Sequence, residues 1–463
     1  MRFDLLIANG TVVTPRGRMP ADIAIVRERI AAVATPGQIP ADQAARRIDA
    51  GGLVILPGLI DAHTHLVDPG WPDWEDFPHG TRAAAAGGVT TVFEMPNSKP
   101  TVDSGENLLG RLRAVEHRAV VDFGLFGALG TTNGGAAPGL YEAGAIAFKT
   151  FRVNPLPGSE KARIEGGLRA PDPAVVLERF RESSAFPIPH AVHCEHNGLV
   201  DHFTARARAQ GLVRAEHWNV GRPELCEIVS TAETLALARE TKARLHIVHM
   251  TAPEAIVMAN RAREAGQHVT IEICVQYLFY TEEDMARFDH YGKIAPPFRS
   301  KESRERLWEL LGAGAVDIIT TDHSPQAAAD KAKSWADIFA APAGHPGLET
   351  LLPALLTLVS AGRLSLEQVV ALTGENPARI FGLYPRKGAI LPGADADLVL
   401  VDMNRTQVLR RADFFTKGRD VDVWWDGMVV QGLPVTTLVR GAVVYDHGEI
   451  VRQPGHGRFV RPG

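Results

Sequence analysis

The chain of 463 residues predicts an α/β protein, a (β/α)8 TIM-like barrel carrying a small β-sandwich built from both chain termini. Three observations predict it. Apolar strand-like runs alternate with helix-like segments through the middle of the chain, while both ends are strand-rich instead. Polar residues then fall at the C-terminal ends of successive runs, where such a barrel gathers its active site. The division this implies is residues 1–56 plus 388–463 for the sandwich and 57–387 for the barrel.

The first fifty residues read as hairpins. Asp4–Ala8, Thr11–Thr14, Asp22–Val26 and Ile30–Val33 are apolar or alternating, and they are broken by Asn9-Gly10 and Pro15-Arg16-Gly17. The eight barrel strands are expected at Val54–Leu56, Thr90–Glu94, Val121–Ala128, Ala145–Thr150, Ile188–His193, Arg244–His249, His268–Ile273 and Val316–Thr321. Helix-like stretches between them include Thr81–Ala86, Val175–Ser184, Cys226–Thr241 and Pro253–Ala265. Beyond residue 387, Ala396–Val401, Val421–Trp425, Thr436–Arg440 and Ala442–Tyr445 are β-rich again, so the two ends are expected to fold together.

Composition narrows the function classes. With 45% hydrophobic and 22% charged residues, the chain builds a sizeable core, which excludes disorder, collagen-like repeats and a disulfide scaffold. Its 49 basic and 54 acidic residues give a net charge of −5 with no basic block, so no nucleic-acid partner is expected. Met1-Arg2-Phe3-Asp4 is charged too early for a secretion signal, and no apolar run approaches the roughly 20 residues of a spanning helix, so no membrane partner is expected either. Cys194, Cys226 and Cys274 are far apart and outside any CxxC pair, which fits a reducing cytoplasm better than a disulfide framework or a zinc ribbon.

The strand ends carry the chemistry. His63-Thr64-His65 ends the first strand, Lys149 the fourth, His193 the fifth, His249 the sixth and Asp322 the eighth. Side chains two apart on a strand point the same way, so His63 and His65 aim both imidazoles to one side. Imidazole nitrogen and carboxylate oxygen are the usual ligands of a catalytic zinc. Each residue alone has an ordinary alternative, a hydrogen-bonded core histidine or a helix-capping aspartate. Four histidines, one lysine and one aspartate at strand ends of one barrel point together to a metal site. Lys149 closes the apolar run Ala145-Ile146-Ala147-Phe148, where burial favours its neutral amine. A neutral amine can add carbon dioxide, and the resulting carbamate has two oxygens suited to bridging metals about 3.5–4 Å apart. No Gly-x-Ser-x-Gly elbow offers a serine nucleophile. Cys194, next to His193, would point to the opposite side of its strand.

The His63-Thr64-His65 motif after Leu56-Pro57-Gly58-Leu59-Ile60-Asp61-Ala62, with Gly80 through Thr91, Phe148-Lys149, Ala295-Pro296-Pro297, Asp322-His323-Ser324-Pro325 and Asn376 through Leu383, resembles the amidohydrolase superfamily over essentially the whole chain. Within it, the chain resembles the cyclic amidohydrolases: allantoinase, hydantoinase (dihydropyrimidinase) and dihydroorotase. The resemblance implies a hydrolase that opens a cyclic amide ring with two divalent metal ions, zinc foremost. One ion would be held by His63, His65, carboxylated Lys149 and Asp322, and the other by Lys149, His193 and His249. The metals would activate water and polarise the ring carbonyl, with Asp322 as the proton carrier. A homotetramer or homodimer in the cytoplasm is implied as well.

The choice of ring is mixed. Asp68-Pro69-Gly70, Trp74-Glu75 and Glu94-Met95-Pro96 look closest to allantoinases. Val67 stands where dihydroorotases carry a carboxylate-binding arginine, whereas Asn97 and Gly347-Leu348-Glu349-Thr350 lean toward them. Asn154 replaces a tyrosine of hydantoinases, while Gln276 resembles them, and a less familiar cyclic imide fits too. Candidate substrate contacts are Asn97, Asn154, Arg152 and Trp71, with Arg222 a second candidate for an anion and Trp74, Phe77, Phe151 and Trp218 as further aromatics. The segments 130–139 and 152–170 are long enough to act as lids or specificity loops. His323 is expected behind Asp322 and His246 in the interior. Two readings from outside this class, a deaminase and a metal-free scaffold relative, are disfavoured by Lys149 and by the full set of ligand positions.

Overall fold

The computed structural model describes residues 2–155, 164–332, 335–340 and 342–463. At the N-terminus, β1 (Phe3–Thr14), β2 (Gly17–Val26) and β3 (Arg29–Ala34) are successive antiparallel neighbours, and β4 (Ala44–Asp49) returns parallel to β1. Asn9 takes a φ of 65° where β1 shifts register between Ile7 and Gly10, the left-handed conformation that asparagine tolerates.

One expectation is corrected at the next strand. Val54–Leu56 is not the first barrel strand. As β5 (Val54–Pro57) it pairs with β1 and belongs to the terminal sheet, and the barrel begins at β6 (Leu59–Thr64). Apolar residues run from Val54 to Ile60 with only Pro57 and Gly58 between them, so alternation could not divide the two strands. A side chain at Gly58 would start 2.2 Å from the Thr90 hydroxyl oxygen, which is why the junction is a glycine.

From β6 the barrel runs through β7 (Val89–Glu94), β8 (Asp122–Leu125), β9 (Gly127–Ala128), β10 (Phe148–Phe151), β11 (His190–His193), β12 (Leu245–Ile247), β13 (Val269–Cys274) and β14 (Ile318–Thr320). Neighbouring strands within its two sheets are parallel. β8 and β9 are two halves of the third barrel strand: Phe126 N–H reaches Glu94 O at 3.0 Å on one side, and Gly127 N–H reaches Ala147 O at 2.9 Å on the other. The ring closes where Thr321 donates to Asp61 at 2.5 Å and His65 N–H reaches His323 O at 2.6 Å. Helices including Phe77–Ala86, Gly105–Val115, Pro173–Ser183, Glu224–Thr241, Pro253–Glu264 and Lys301–Gly312 pack outside. Asp76, Ser104, Asp172 and Ser300 start four of them by accepting from a first-turn amide. Ile60, Phe93, Phe126, Ile146 and Phe381 fill the interior at the end away from the ligand-type residues.

The chain then returns to the terminal sheet with β15 (Leu398–Val408), β16 (Val429–Val439), β17 (Ala442–Asp446) and β18 (Glu449–Ile450). β15 pairs with β5, so both termini share one nine-stranded sheet, folded over an apolar cluster that includes Leu5, Ile23, Ile55, Leu398 and Leu438. Val421–Trp425, expected as a strand, is not one. A 3-10 turn ends at Val421, and Trp424 and Trp425 are buried against Tyr280, with Phe288 and Phe298 facing Trp424.

A buried ion cluster ties sheet to barrel. The Lys387 ammonium lies 2.8 Å from Asp122, 3.3 Å from Asp395 and 2.6 Å from Asp397, and Arg440 contacts Asp122 from the other side. The three aspartates are close enough together to suit a metal ion, but Lys387 already fills that place. Removing one partner of a buried ion cluster leaves the others unpaired. Lys387→Met is therefore expected to lower stability by about 3–5 kcal/mol, read as a reduced urea midpoint; an unchanged midpoint would refute this role for the cluster.

Candidate metal centre

Six side chains meet at the open end of the barrel. His63 lies within β6 and His65 just beyond it, Lys149 is in β10 and His193 ends β11. His249 follows β12 with a φ of 39°, and Asp322 follows β14 with a φ of 50°, so a turn in the chain aims each of these two inward. The His63 ring centroid lies 5.3 Å from that of His65 and 5.2 Å from that of His249. Asp322 Oδ1 sits 3.4 Å from His63 Nε2 and 3.2 Å from His65 Nε2, and His193 Nδ1 faces His249 Nε2 at 3.0 Å. Phe151 stacks on His193 with centroids 5.1 Å apart and lies 4.7 Å from the Lys149 amine, walling that side of the cluster.

Burial sets the charge of these groups. It holds the His63 imidazole below its ordinary pKa and those of His193 and His249 well below it, so all three are neutral and present lone pairs. It lowers Lys149 to about 8 and raises Asp322 to about 6. Carboxylates behind the histidines fix their tautomers. His63 Nδ1 donates to Glu272 Oε1 at 2.7 Å, which leaves the Nε2 lone pair turned toward Asp322. His193 Nε2 donates to Glu195 Oε2 at 2.8 Å, which leaves Nδ1 turned toward His249. His63 Nε2, Lys149 Nζ and His249 Nδ1 are buried without a hydrogen-bond partner among the described residues. Buried polar atoms are ordinarily paired, so this donor set fits a cation. His63, His65 and Asp322 each offer a ligand atom, all within 4.8 Å of one another. An ammonium would repel a cation, so Lys149 fits such a site only as the neutral amine or its carbamate.

The candidate substrate contacts separate. Arg152 points away from the opening: its guanidinium meets Glu233, Thr234 and the Pro171 carbonyl on the helix side of β10. Alternation along the strand explains this correction, because Lys149 and Phe151 face in and Arg152 therefore faces out. Arg222, the other anion candidate, pairs with Glu195 behind His193. Asn97 donates to Glu165 at 2.7 Å and keeps a buried Oδ1 with no partner among the described residues, while Asn154 is exposed. Trp71 stacks on Trp74 at the rim with centroids 5.3 Å apart. Phe77 is core, packed edge-on against Phe123, and Trp218 is buried with its indole N–H on Ile294 O. Of the 152–170 loop, residues 156–163 lie outside the described residues; Arg169 lies 4.5 Å from the Phe151 ring and pairs with Glu165.

Sequence reasoning missed the carboxylates that hold the site. Glu272 binds His63, His246 and the backbone amide of His249. Glu94 accepts from the amides of Leu66 and Val67 and is paired with Arg111. Glu227 accepts from Thr251 and Ala252 beyond His249 and is paired with Arg299. A charged residue inside the otherwise uncharged run Val269–Cys274 was the signal available for Glu272. His246 is buried and His323 stands behind Asp322, both as expected.

A parallel barrel joined to a terminal β-sheet and opening on such a cluster is the architecture of a hydrolytic barrel enzyme. The chain belongs to the amidohydrolase family, whose profile matches residues 54–435. It is 34% identical to an L-hydantoinase of Paenarthrobacter aurescens, over 99% of this chain and 98% of that one. It is 37% identical to an allantoinase of Rubrobacter xylanophilus, again over 99% and 98% of the two chains. The solved structure of the L-hydantoinase (dihydropyrimidinase) from Arthrobacter aurescens aligns with a TM-score of 0.93 at 33% identity, covering 99% of this chain and all of that one. The expected family and barrel fold are therefore established.

Groups that orient a metal-binding histidine typically contribute about 10–100-fold to metal affinity. Glu272→Gln is expected to speed loss of divalent metal to a chelator by a factor in that range while circular dichroism stays unchanged. Metal retention equal to that of the parent protein would show that Glu272 does not orient His63 for a metal.

Proposed function

We propose that the chain is a binuclear, metal-dependent cyclic amidohydrolase that hydrolyses a ring C–N bond, nearest to the allantoinases in its local pattern. The observation that carries this reading is the set of buried, unpaired nitrogens of His63 and Lys149 gathered with His65 around Asp322, beside the facing pair His193 and His249. His63, His65, Lys149 and Asp322 would hold one ion, and Lys149, His193 and His249 the other, with Lys149 carboxylated and zinc the foremost metal. When bound, a pair of divalent ions supplies a water of lowered pKa and a Lewis acid for the amide carbonyl.

The chain's own groups supply the remainder. Asp322, raised by burial to about 6, is suited to take a proton from the attacking water and return it to the ring nitrogen as the C–N bond breaks. Phe151 shields Lys149 on one side. Asn97, with an unpaired acceptor oxygen, remains the polar candidate for the substrate ring, and Trp71 with Trp74 the apolar one for its substituent; Asn154 is the more distant candidate. A hydantoin or dihydropyrimidine ring is the second reading, supported by 34% identity to an L-hydantoinase. Dihydroorotate is disfavoured because Val67 brings no cation for its carboxylate. Three free, buried cysteines fit a reducing cytoplasm, and a homodimer or homotetramer fits the resemblance.

The test couples metal content to ring opening. Allantoin, hydantoin, dihydrouracil, dihydroorotate and a cyclic imide are offered side by side to a sample whose metals have been counted. About two ions per chain and one clearly preferred ring are expected; a chain that takes up no metal even with bicarbonate present would sink the proposal. Lys149→Ala is expected to lose both the metals and turnover. Asp322→Asn should stay folded yet lose about 100-fold or more in kcat, the scale of positioned acid–base catalysis.

A further inference from the structure

Asp322 stands on backbone that needs support. Its φ of 50° lies in the left-handed region, which a non-glycine residue holds only when its surroundings enforce it. The next residue is the anchor. His323 O accepts from His65 N–H at 2.6 Å, which ties the Asp322 turn to the first barrel strand. The His323 ring is buried, and its Nδ1 accepts from the amides of Gly347 at 3.1 Å and Leu348 at 3.4 Å. Two backbone donors on Nδ1 require the hydrogen to be on Nε2, and that nitrogen donates to Glu75 Oε2 at 3.2 Å.

Glu75 is itself fully buried, and its chief other side-chain partner is a residue from far along the chain. The Thr416 hydroxyl donates to the same Oε2 that receives His323. That hydroxyl accepts from Gly418 N–H at 3.1 Å, so its hydrogen is committed to Glu75. Thr416 lies between β15 and β16 of the terminal sheet, on a connection that crosses the barrel's open end. The connection is pinned there: Phe415 N–H and Thr416 N–H both reach the Glu349 carboxyl, at 2.7 and 3.2 Å, and the Lys417 amine reaches Pro72 O at 2.7 Å. It passes so close to the Asp322 turn that a side chain on Gly418 would start 2.2 Å from Pro325 Cβ.

We infer that Thr416 is a positioning residue for Asp322, acting through Glu75 and His323, so that the terminal sheet completes an active site whose ligand-type residues all come from the barrel. The inference rests on the proposed hydrolase reading for its kinetic consequence, though not for its geometry. Thr416→Val keeps the shape and removes the hydroxyl. Glu75 Oε2 then keeps His323 but loses the partner that fixes it, and the Asp322 turn loosens.

The experiment compares Thr416→Val, Thr416→Ser and the parent protein by three readouts. Amide hydrogen exchange across residues 320–327 and 344–349 is expected to quicken about tenfold in Thr416→Val and to return toward the parent rate in Thr416→Ser, a loss of roughly one hydrogen bond's worth of local protection. On the ring that the parent opens, Thr416→Val should lower kcat about tenfold, the lower end for groups behind a metal ligand, with KM little changed. Thr416→Ser should recover most of the rate. A general loss of stability would instead spread faster exchange over the whole barrel and leave kcat per folded molecule intact, which would overturn the inference. So would a Thr416→Ser protein as slow and as loose as Thr416→Val. If the parent opens no ring at all, the hydrolase reading fails by itself, and the exchange comparison still decides whether Thr416 holds the Asp322 turn.

Discussion

Carboxylates buried beneath the open end of the barrel are the constraint on which the rest of the site depends. A carboxylate removed from water must be met by donors on nearly every lone pair, or it destabilises the fold by several kcal/mol. Each one here therefore dictates where several donors go. Glu272 requires the Nδ1–H of His63 and the amide of His249. Glu94 requires the amides just beyond His65, and Glu227 those just beyond His249. Glu195 takes the Nε2–H of His193 and the Arg222 guanidinium on Oε2, and is the exception in that its Oε1 has no partner among the described residues. The ligand-type side chains are consequently held by groups whose own desolvation would be uncompensated if those side chains moved.

This arrangement also settles charge. Glu94, Glu195 and Glu227 are each paired with an arginine, Arg111, Arg222 and Arg299 respectively. Glu272 has two histidines instead and, among the described residues, no lysine or arginine as an ion-pair partner, so it leaves negative charge beside His63. Near it burial holds the imidazoles of His63, His193 and His249 neutral and weakens the Lys149 amine. An opening with the neutral nitrogens of His63, His193 and His249 on its walls and the Asp322 carboxylate among them, with Glu272 behind His63, attracts cations and gives them lone pairs to bind. The arginines stay behind their carboxylates, and that placement takes Arg152 and Arg222 out of the opening: Arg152 is bound to Glu233 and Arg222 to Glu195.

Much of this was legible in the sequence, for a physical reason. Strand ends in a parallel barrel carry their polar residues toward one face, so reading His63, Lys149, His193, His249 and Asp322 in order amounts to reading the rim. What was hidden depends on register rather than pattern. Val54–Leu56 and Leu59–Ile60 are both apolar and nearly adjacent, and it is their pairing partners that make one a strand of the sheet and the other the start of the barrel. Val421–Trp425 is apolar because its tryptophans bury against aromatic side chains of the barrel, and a burial requirement of that kind looks like a strand in one dimension. Arg152, offered as an anion contact, follows the inward-facing Phe151 on its strand and so faces the helices, where Glu233 takes it. Glu94 and Glu272 were missed because a charged residue in a strand normally signals solvent, and Glu227 because one in the first turn of a helix normally does too; their compensation is encoded elsewhere, in Arg111 for Glu94, Arg299 for Glu227 and His63 with His246 for Glu272.

The same logic explains why the terminal sheet is part of the working molecule. At the closed end of the barrel strands, Asp122 at the start of β8 is met by Arg440, just after β16, and by Lys387, which also binds Asp397 just before β15. At the open end, Glu75 is met by Thr416, from the connection between two strands of that sheet. The sheet therefore answers a buried carboxylate at both ends of the barrel. Displacing it would expose two uncompensated charges as well as apolar surface, one of them two residues removed from Asp322 through His323. Stability and the geometry of the site are for that reason coupled through the chain termini, although every ligand-type residue lies in the barrel.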